Sequence, residues 1–236
     1  MCAGAGHTDR RRSAWPRPRV ASFCEEGDHF ETPPVAIAHV APILRRLAEL
    51  GFGGSQPCEL ALYDPYFCSG AVRGHLAALG FPRLAHEDRD FYEDAVSGMV
   101  PQHDVLLTNP PYSDDHKARI LSFCAASKKP WLLLMPGYVV TRTYYSKSVA
   151  TLDPRPFFVR PAIGDYKFHH RECGAHMVKP GAVWFVHAGK HTEAVRTACT
   201  PDVEAAGGRV VPKAMDLAGA FGKHFVFSAR AARLLR

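Results

Sequence analysis

Four consecutive residues, Asn109-Pro110-Pro111-Tyr112, have the side chains needed to hold a planar amino group. They follow the apolar run Asp104 to Thr108, which predicts a buried strand. Successive prolines fix φ and remove backbone donors, so the turn presents carbonyl acceptors at a fixed angle. The Asn109 oxygen and the Pro110 carbonyl could each accept one amino hydrogen, while Tyr112 stacks on an attached ring. All four are candidate catalytic residues, and the alternative is a stiffened turn without chemistry.

A second segment, Asp64-Pro65-Tyr66-Phe67-Cys68-Ser69-Gly70, follows another predicted strand, Glu59 to Asp64, and begins a predicted helix. A helix N-terminus that the backbone can approach closely favours a nucleotide-like ligand. A third segment, Asp28-His29-Phe30-Glu31-Thr32-Pro33, precedes both and starts a helix at Thr32 as the N-cap.

Together these segments resemble the class I S-adenosylmethionine-dependent amino-methyltransferases, whose N6-adenine and glutamine members carry an N-P-P-Y turn after the fourth strand. Asp64 to Gly70 is similar to their D-P-x-C-G-x-G cofactor loop, with Cys68 where the first loop glycine usually stands. Thr32-Pro33 looks like the T-P element that holds the methionine end of the cofactor. The stretch from Asp28 to about Val186 also looks like a group of uncharacterised eukaryotic methyltransferase-like proteins.

The resemblance implies S-adenosyl-L-methionine as cofactor and methyl transfer to a planar exocyclic amino group, with adenine N6 in RNA or DNA as the preferred substrate. A protein glutamine amide is the second substrate class. A catalytically inactive binding subunit is a third reading, which Cys68 favours. The cofactor-binding residues implied are Thr32, Pro33, Asp64, Pro65, Tyr66 and Gly70.

Acidic residues follow the weak strand Arg83 to His86. Folds of this kind place a carboxylate there to accept from ribose hydroxyls, and an aromatic residue beside it could flank the adenine ring. Solvated loop acids are the alternative. The stretch from Leu84 to Asp104 is short for a full helix and strand. The candidates are Glu87, Asp88, Asp90 and Phe91.

Aromatic and basic residues interleave after the predicted strand Trp131 to Met135, a pattern that suits single-stranded or flipped nucleotides. Tyrosines that pack over the sheet edge are an equal alternative. A later polar stretch could meet phosphate. Its histidines and cysteine, His169, His170, Cys173 and His176, lack a paired metal-ligand spacing, so we predict no metal site. The substrate candidates are Tyr138, Tyr144, Lys167 and His169.

The net charge of +6 is concentrated at the start of the chain: residues 1–20 hold five arginines against Asp9, which leaves +2 for the remainder. We interpret 1–20 as a disordered basic leader or an organelle transit peptide, and 21–236 as a single domain. Seven scattered cysteines favour a reducing, intracellular compartment, either cytoplasm or nucleus unless the leader directs import. The longest apolar run is too short to cross a membrane.

Strands that alternate with helices through the first two thirds predict an α/β fold with a mainly parallel central sheet. Further strand candidates, Pro156 to Val159, Ala182 to Val186 and His224 to Phe227, surround one clear helix near Thr192 to Ala206. We therefore expect antiparallel edge strands near the C-terminus and, from the resemblance, a Rossmann-like class I methyltransferase fold.

Overall fold

A computed structural model describes residues 30–170, 176–178 and 181–221, and it describes the side chains of all of these except 170, 176–178 and 218–221. The described chain is an α/β structure with two sheets. Its strands are β1 (Phe30–Glu31), β2 (Leu62–Tyr63), β3 (Leu84–Ala85), β4 (Val105–Thr108), β5 (Trp131–Pro136), β6 (Phe157–Pro161), β7 (Lys167–His170), β8 (His176–Val178), β9 (Ala182–His187) and β10 (Gly208–Val211).

Within the described residues, seven helices lie between and after the strands. They are α1 (Pro34–Glu49), α2 (Ala71–Ala78), α3 (Phe91–Ser97), α4 (His116–Ser127), α5 (Thr143–Val149), α6 (Thr192–Ala205) and α7 (Ala214–Phe221). Short 3-10 turns span Pro57–Glu59, Gly137–Thr141 and Gly189–His191. None of the described helices is both long and apolar enough to cross a bilayer.

The larger sheet has the strand order β10-β6-β9-β5-β4-β2-β3. β3, β2, β4 and β5 pair in parallel, whereas β9 is antiparallel to both β5 and β6, and β10 is antiparallel to β6. Five of the seven strands described in this sheet therefore point the same way, which confirms a mainly parallel sheet and is compatible with a Rossmann-like fold. The smaller sheet, β1-β7-β8, is antiparallel.

Both faces of the larger sheet are buried, which explains the continuous apolar runs of its central strands. In β5, Leu132 and Leu134 face the core under α1 and α6, while Trp131, Leu133 and Met135 face the core under α4 and α5. The same alternation holds in β9. Because successive strand side chains point to opposite faces, each run contributes to two cores.

The sequence predicts a helix from His116 to Ser127, and α4 has these bounds. Helix α1 begins near the predicted start, with Pro33 as its N-cap instead of Thr32. The stretch after β3 is compressed as expected, since it holds only α3, and residues 98–104 contain no strand. The expectation of antiparallel strands at the sheet edge is only partly met. β10 is an edge strand, but β9 lies inside the sheet between β5 and β6.

Candidate functional site

The strand order reverses at β2, because the chain places β3 on one side of it and β4 on the other. Open sheets bind ligands in the crevice beyond the carboxyl ends of the strands at such a switch point. Here β2 ends at Tyr63 and leads into Asp64, while β4 ends at Thr108 and leads into Asn109. The two strongest sequence motifs therefore meet at the position where this fold class binds ligands.

A buried carboxylate joins the two motifs. Asp64 Oδ1 accepts from the Thr108 hydroxyl at 2.5 Å and from the Tyr66 backbone N–H at 3.2 Å. Asp64 is 4% exposed and Thr108 1%. The Asp64 side chain thus fixes the turn after β2 to the end of β4.

His86, also buried, follows β3 and lies against the same carboxylate. Its Nδ1 is 3.1 Å from the Asp64 carbonyl oxygen and 3.7 Å from Asp64 Oδ2. Burial raises the pKa of the Asp64 carboxyl to about 6, although His86, the Thr108 hydroxyl and the Tyr66 N–H all favour the charged form. Burial therefore destabilises the charged form of Asp64, although the side chain holds the two motifs together.

The first strand, β1, connects the third motif to the other two. The Phe30 carbonyl accepts from Asn109 Nδ2 at 3.3 Å, and Glu31 Oε1 accepts from the Ser69 N–H at 2.6 Å. Residue Thr32, which is 7% exposed, then leads into α1. All three motifs identified in the sequence are in contact.

The side-chain oxygen of Asn109 is buried and has no hydrogen-bond partner among the described residues. Because Nδ2 donates to the Phe30 carbonyl, the oxygen is held on the other side of the amide. An unsatisfied buried acceptor costs about 1–3 kcal/mol. Asn109 Oδ1 is therefore an unsatisfied hydrogen-bond acceptor, and its residue directly precedes the rigid Pro110-Pro111 pair.

Tyr112 is held at both its hydroxyl and its backbone. The hydroxyl donates to the Leu134 carbonyl at 3.3 Å, and the Lys117 ammonium donates to the Tyr112 carbonyl. The ring meets Phe168 of β7 edge-on, with centroids 6.4 Å apart. A fixed ring next to Asn109 is consistent with stacking on a substrate, which stays a prediction.

The segment after β2 turns into α2 at Gly70, whose φ of 85° is a left-handed conformation that favours glycine. A Cβ at this position would lie 3.3 Å from the Phe67 ring. Among the described residues other than glycine, only Asp114 and Lys128 have a positive φ. Cys68, at the position where the resemblance leads us to expect a glycine, therefore has no left-handed backbone strain.

Tyr66 and Pro65 are less open to a ligand than the sequence suggested. Pro65 is buried, and the Tyr66 hydroxyl is 2.8 Å from that of Tyr92, which in turn is 2.5 Å from His116 Nδ1. Arg119 lies over the Tyr92 ring, 3.4 Å from its centroid. Burial raises the pKa of both tyrosines, so they stay neutral.

Of the residues proposed after β3, two have structural roles. Asp90 is the N-cap of α3 and accepts from the Tyr92 and Glu93 N–H groups. Phe91 is 3% exposed and packs against Tyr66, with centroids 5.8 Å apart. Glu87 and Asp88 are exposed, so they are the acids left to meet a ligand.

The substrate candidates lie near the same edge. Tyr138 follows the end of β5 and holds Arg142 5.0 Å from its ring centroid. The Tyr144 hydroxyl is buried without a hydrogen-bond partner in the described structure, and burial raises its pKa to about 12. Lys167 and His169 are exposed on β7, on either side of Phe168.

The zinc alternative involves Cys173, which lies outside the described residues, as do the side chains of His170 and His176. Within the described part of the chain, no three His, Cys, Asp or Glu residues form a group that could hold a metal. The basic leader and the predicted strand His224 to Phe227 also lie outside the described residues.

Sequence reasoning missed the link from Phe30 to Asn109, the link from Glu31 to Ser69, and the Tyr66-Tyr92-His116 chain. The first link joins residues 79 positions apart and the second 38. No local pattern marks such pairs, because they depend on β1 joining β7 in the second sheet.

No family model matches this chain, and no curated protein matches it either. Eleven chains of solved structures do. One belongs to a structure described as "Structural basis underlying complex assembly and conformational transition of the type I R-M system", at 13% identity and a TM-score of 0.37. That likeness covers 83% of this chain and 60% of the other, so the present chain spans less than two thirds of its length.

Proposed function

We propose that this protein is an S-adenosylmethionine-dependent methyltransferase of class I fold that modifies a planar exocyclic amino group, with adenine N6 in nucleic acid as the preferred substrate. The observation that carries the proposal is the Asn109 amide: its nitrogen is held by the Phe30 carbonyl, and its buried oxygen lacks a donor. A substrate -NH2 group would supply that donor.

The residues around the switch point fit the cofactor's chemistry. Glu87 and Asp88 offer exposed carboxylates for ribose hydroxyls, and Gly70 begins α2 without a side-chain cap. When bound, the cofactor supplies an electrophilic methyl group. Asn109 then orients the amino nitrogen, and its hydrogen bond strengthens as the nitrogen gains positive character. No base is required before transfer, because the proton of the methylated product is acidic.

Replacement of Asn109 by Ala tests this role. We expect transfer from labelled cofactor to RNA or DNA to be abolished while cofactor binding, measured by calorimetry, persists. Gln102→Ala is the matched control, since it removes an exposed carboxamide before the other end of β4. Unchanged turnover in Asn109→Ala contradicts the mechanism. Label in protein that resists nuclease supports the glutamine substrate instead.

Asn109 is the only asparagine of the sequence, which permits a direct test of contact. Selective ¹⁵N-asparagine labelling gives the signal of a single side-chain NH2 group, a pair of cross-peaks, in NMR spectra. Adenosine added together with the cofactor is expected to shift this signal, and a uridine control, which has no amino group, is not. An Asn109 side-chain signal whose chemical shift changes with neither ligand contradicts a role for the amide in binding.

A non-catalytic binding subunit is the second candidate, and the position of Phe67 favours it. The Phe67 ring lies against the side of Gly70 where a Cβ would stand, and the Ser69 N–H already donates to Glu31. Both groups are then less accessible to a cofactor. Calorimetry with S-adenosylmethionine separates the two candidates. Binding by the unmodified chain supports the enzyme, whereas binding seen only after Phe67→Ala supports a loop closed to the cofactor.

A further inference from the structure

A cavity lies next to the larger sheet, at the opposite end of its central strands from Asn109. It has a volume of about 640 Å³ and is bounded by the start of β5 and the end of β9. The six residues of β5 separate the two edges by roughly 20 Å. This distance separates the cavity from the proposed methyltransferase site. Small-molecule sites commonly measure about 300–1,000 Å³, so the cavity is large enough for an organic ligand.

One part of the cavity wall is apolar. Phe52, Pro130, Leu152 and Ala188 line it, and the Phe52 ring meets the His191 ring edge-on, with centroids 6.0 Å apart. Such a wall excludes water from one side of a ligand. A flat or aliphatic group therefore fits against it.

The rest of the wall is cationic. Three lysines, Lys128, Lys129 and Lys190, line the cavity, against Asp153 as the acid among the lining residues that the structure describes. Lys129 donates to the His103 carbonyl at 2.7 Å, so its charge is anchored. Lys128 and Lys190 are exposed, and the described residues offer neither ammonium a hydrogen-bond or ion-pair partner.

The uncompensated charge defines the ligand class. Two free ammonium groups beside an apolar wall recognise a molecule that carries a compact anion on an apolar body. Helix α6 also begins at this wall, with His191 as its N-cap, and the helix dipole favours negative charge there.

We propose that this cavity binds an organic phosphate of nucleotide size, with its phosphate between Lys128 and Lys190 and its body against Pro130 and Leu152. The site does not depend on the methyltransferase proposal, because it shares no residue with it. A ligand here would contact Pro130, directly before β5, and His187, the last residue of β9, and would stabilise the folded chain by mass action.

Calorimetric titration with adenosine 5′-monophosphate tests the site, with adenosine and inorganic phosphate as the two partial probes. We expect saturable binding of the nucleotide and weaker binding of each part. The double variant Lys128→Gln, Lys190→Gln is expected to bind at least about tenfold more weakly. Arg209→Gln, Lys213→Gln removes the same charge from exposed positions near β10 and is expected to bind normally.

Two further variants locate the bound nucleotide. Leu152→Trp fills the apolar wall and should abolish binding, whereas Asn109→Ala should leave it intact, which separates this site from the proposed substrate site. Wild-type affinity in the double lysine variant overturns the proposal. So does the absence of saturable binding up to about 1 mM nucleotide.

Discussion

Replacement of Asp64 by Asn removes a buried charge while it keeps the geometry. The Asn oxygen can accept from the Thr108 hydroxyl and the Tyr66 N–H, as the carboxylate does. The pKa of Asp64 is about 6 in the folded chain against 3.8 for an unperturbed aspartate, a difference worth about 3 kcal/mol. Since the folded state binds this proton more tightly, the stability that Asp64 contributes is fully present below pH 3.8 and is lost as the pH rises through about 6.

Urea unfolding at a series of pH values from about 4 to about 8 measures this effect. Near pH 4 the variant and the wild type should have similar free energies of unfolding. Near pH 8, Asp64→Asn should be more stable by about 3 kcal/mol. Titrating groups distant from Asp64 are common to both proteins and cancel in the difference. Asp88→Asn, at an exposed position, is the control and should follow the wild type. Parallel curves for Asp64→Asn and the wild type would refute the reasoning.

Two further predictions concern the loop and its polar network. Gly70→Ala should lower the free energy of unfolding by about 1–2 kcal/mol because of its left-handed φ, whereas Cys68→Gly should change it by less than about 1 kcal/mol; chemical denaturation compares them, and equal losses would contradict the backbone argument. Tyr92→Phe removes the hydroxyl between Tyr66 and His116 and should cost about 1–3 kcal/mol, measured in the same way, so a neutral effect would show that the network contributes little to stability.

The sequence predicted most of the larger sheet because its strands carry local signals. Trp131 to Met135 is a long apolar run, and the helix from His116 has the predicted bounds. β1, β7 and β8 could not be predicted, since two to four polar or mixed residues form strands only when they find each other in space.

The site was predicted in part for the same reason. Strand ends are readable, so Asp64 and Asn109 were found at the sheet edge where they lie. Which atoms they contact was not readable. The Phe30 carbonyl that orients Asn109 is a backbone group and has no signature in the sequence. For Asp90 and Phe91 the sequence signal was ambiguous. An acid and an aromatic residue can bind a ligand, but here Asp90 caps a helix and Phe91 packs in the core.

The position of β9 between β5 and β6 has a consequence for synthesis on the ribosome. β9 pairs with β5 at six positions, from Trp131↔His187 to Pro136↔Ala182. β5 therefore emerges about fifty residues before its partner, which corresponds to several seconds at typical translation rates. During that interval its backbone edge and apolar side chains are exposed to other chains. The pairing of β5 is thus completed only after β9, an internal strand, has been synthesised. A nascent chain stalled before Ala182 should therefore bind chaperones.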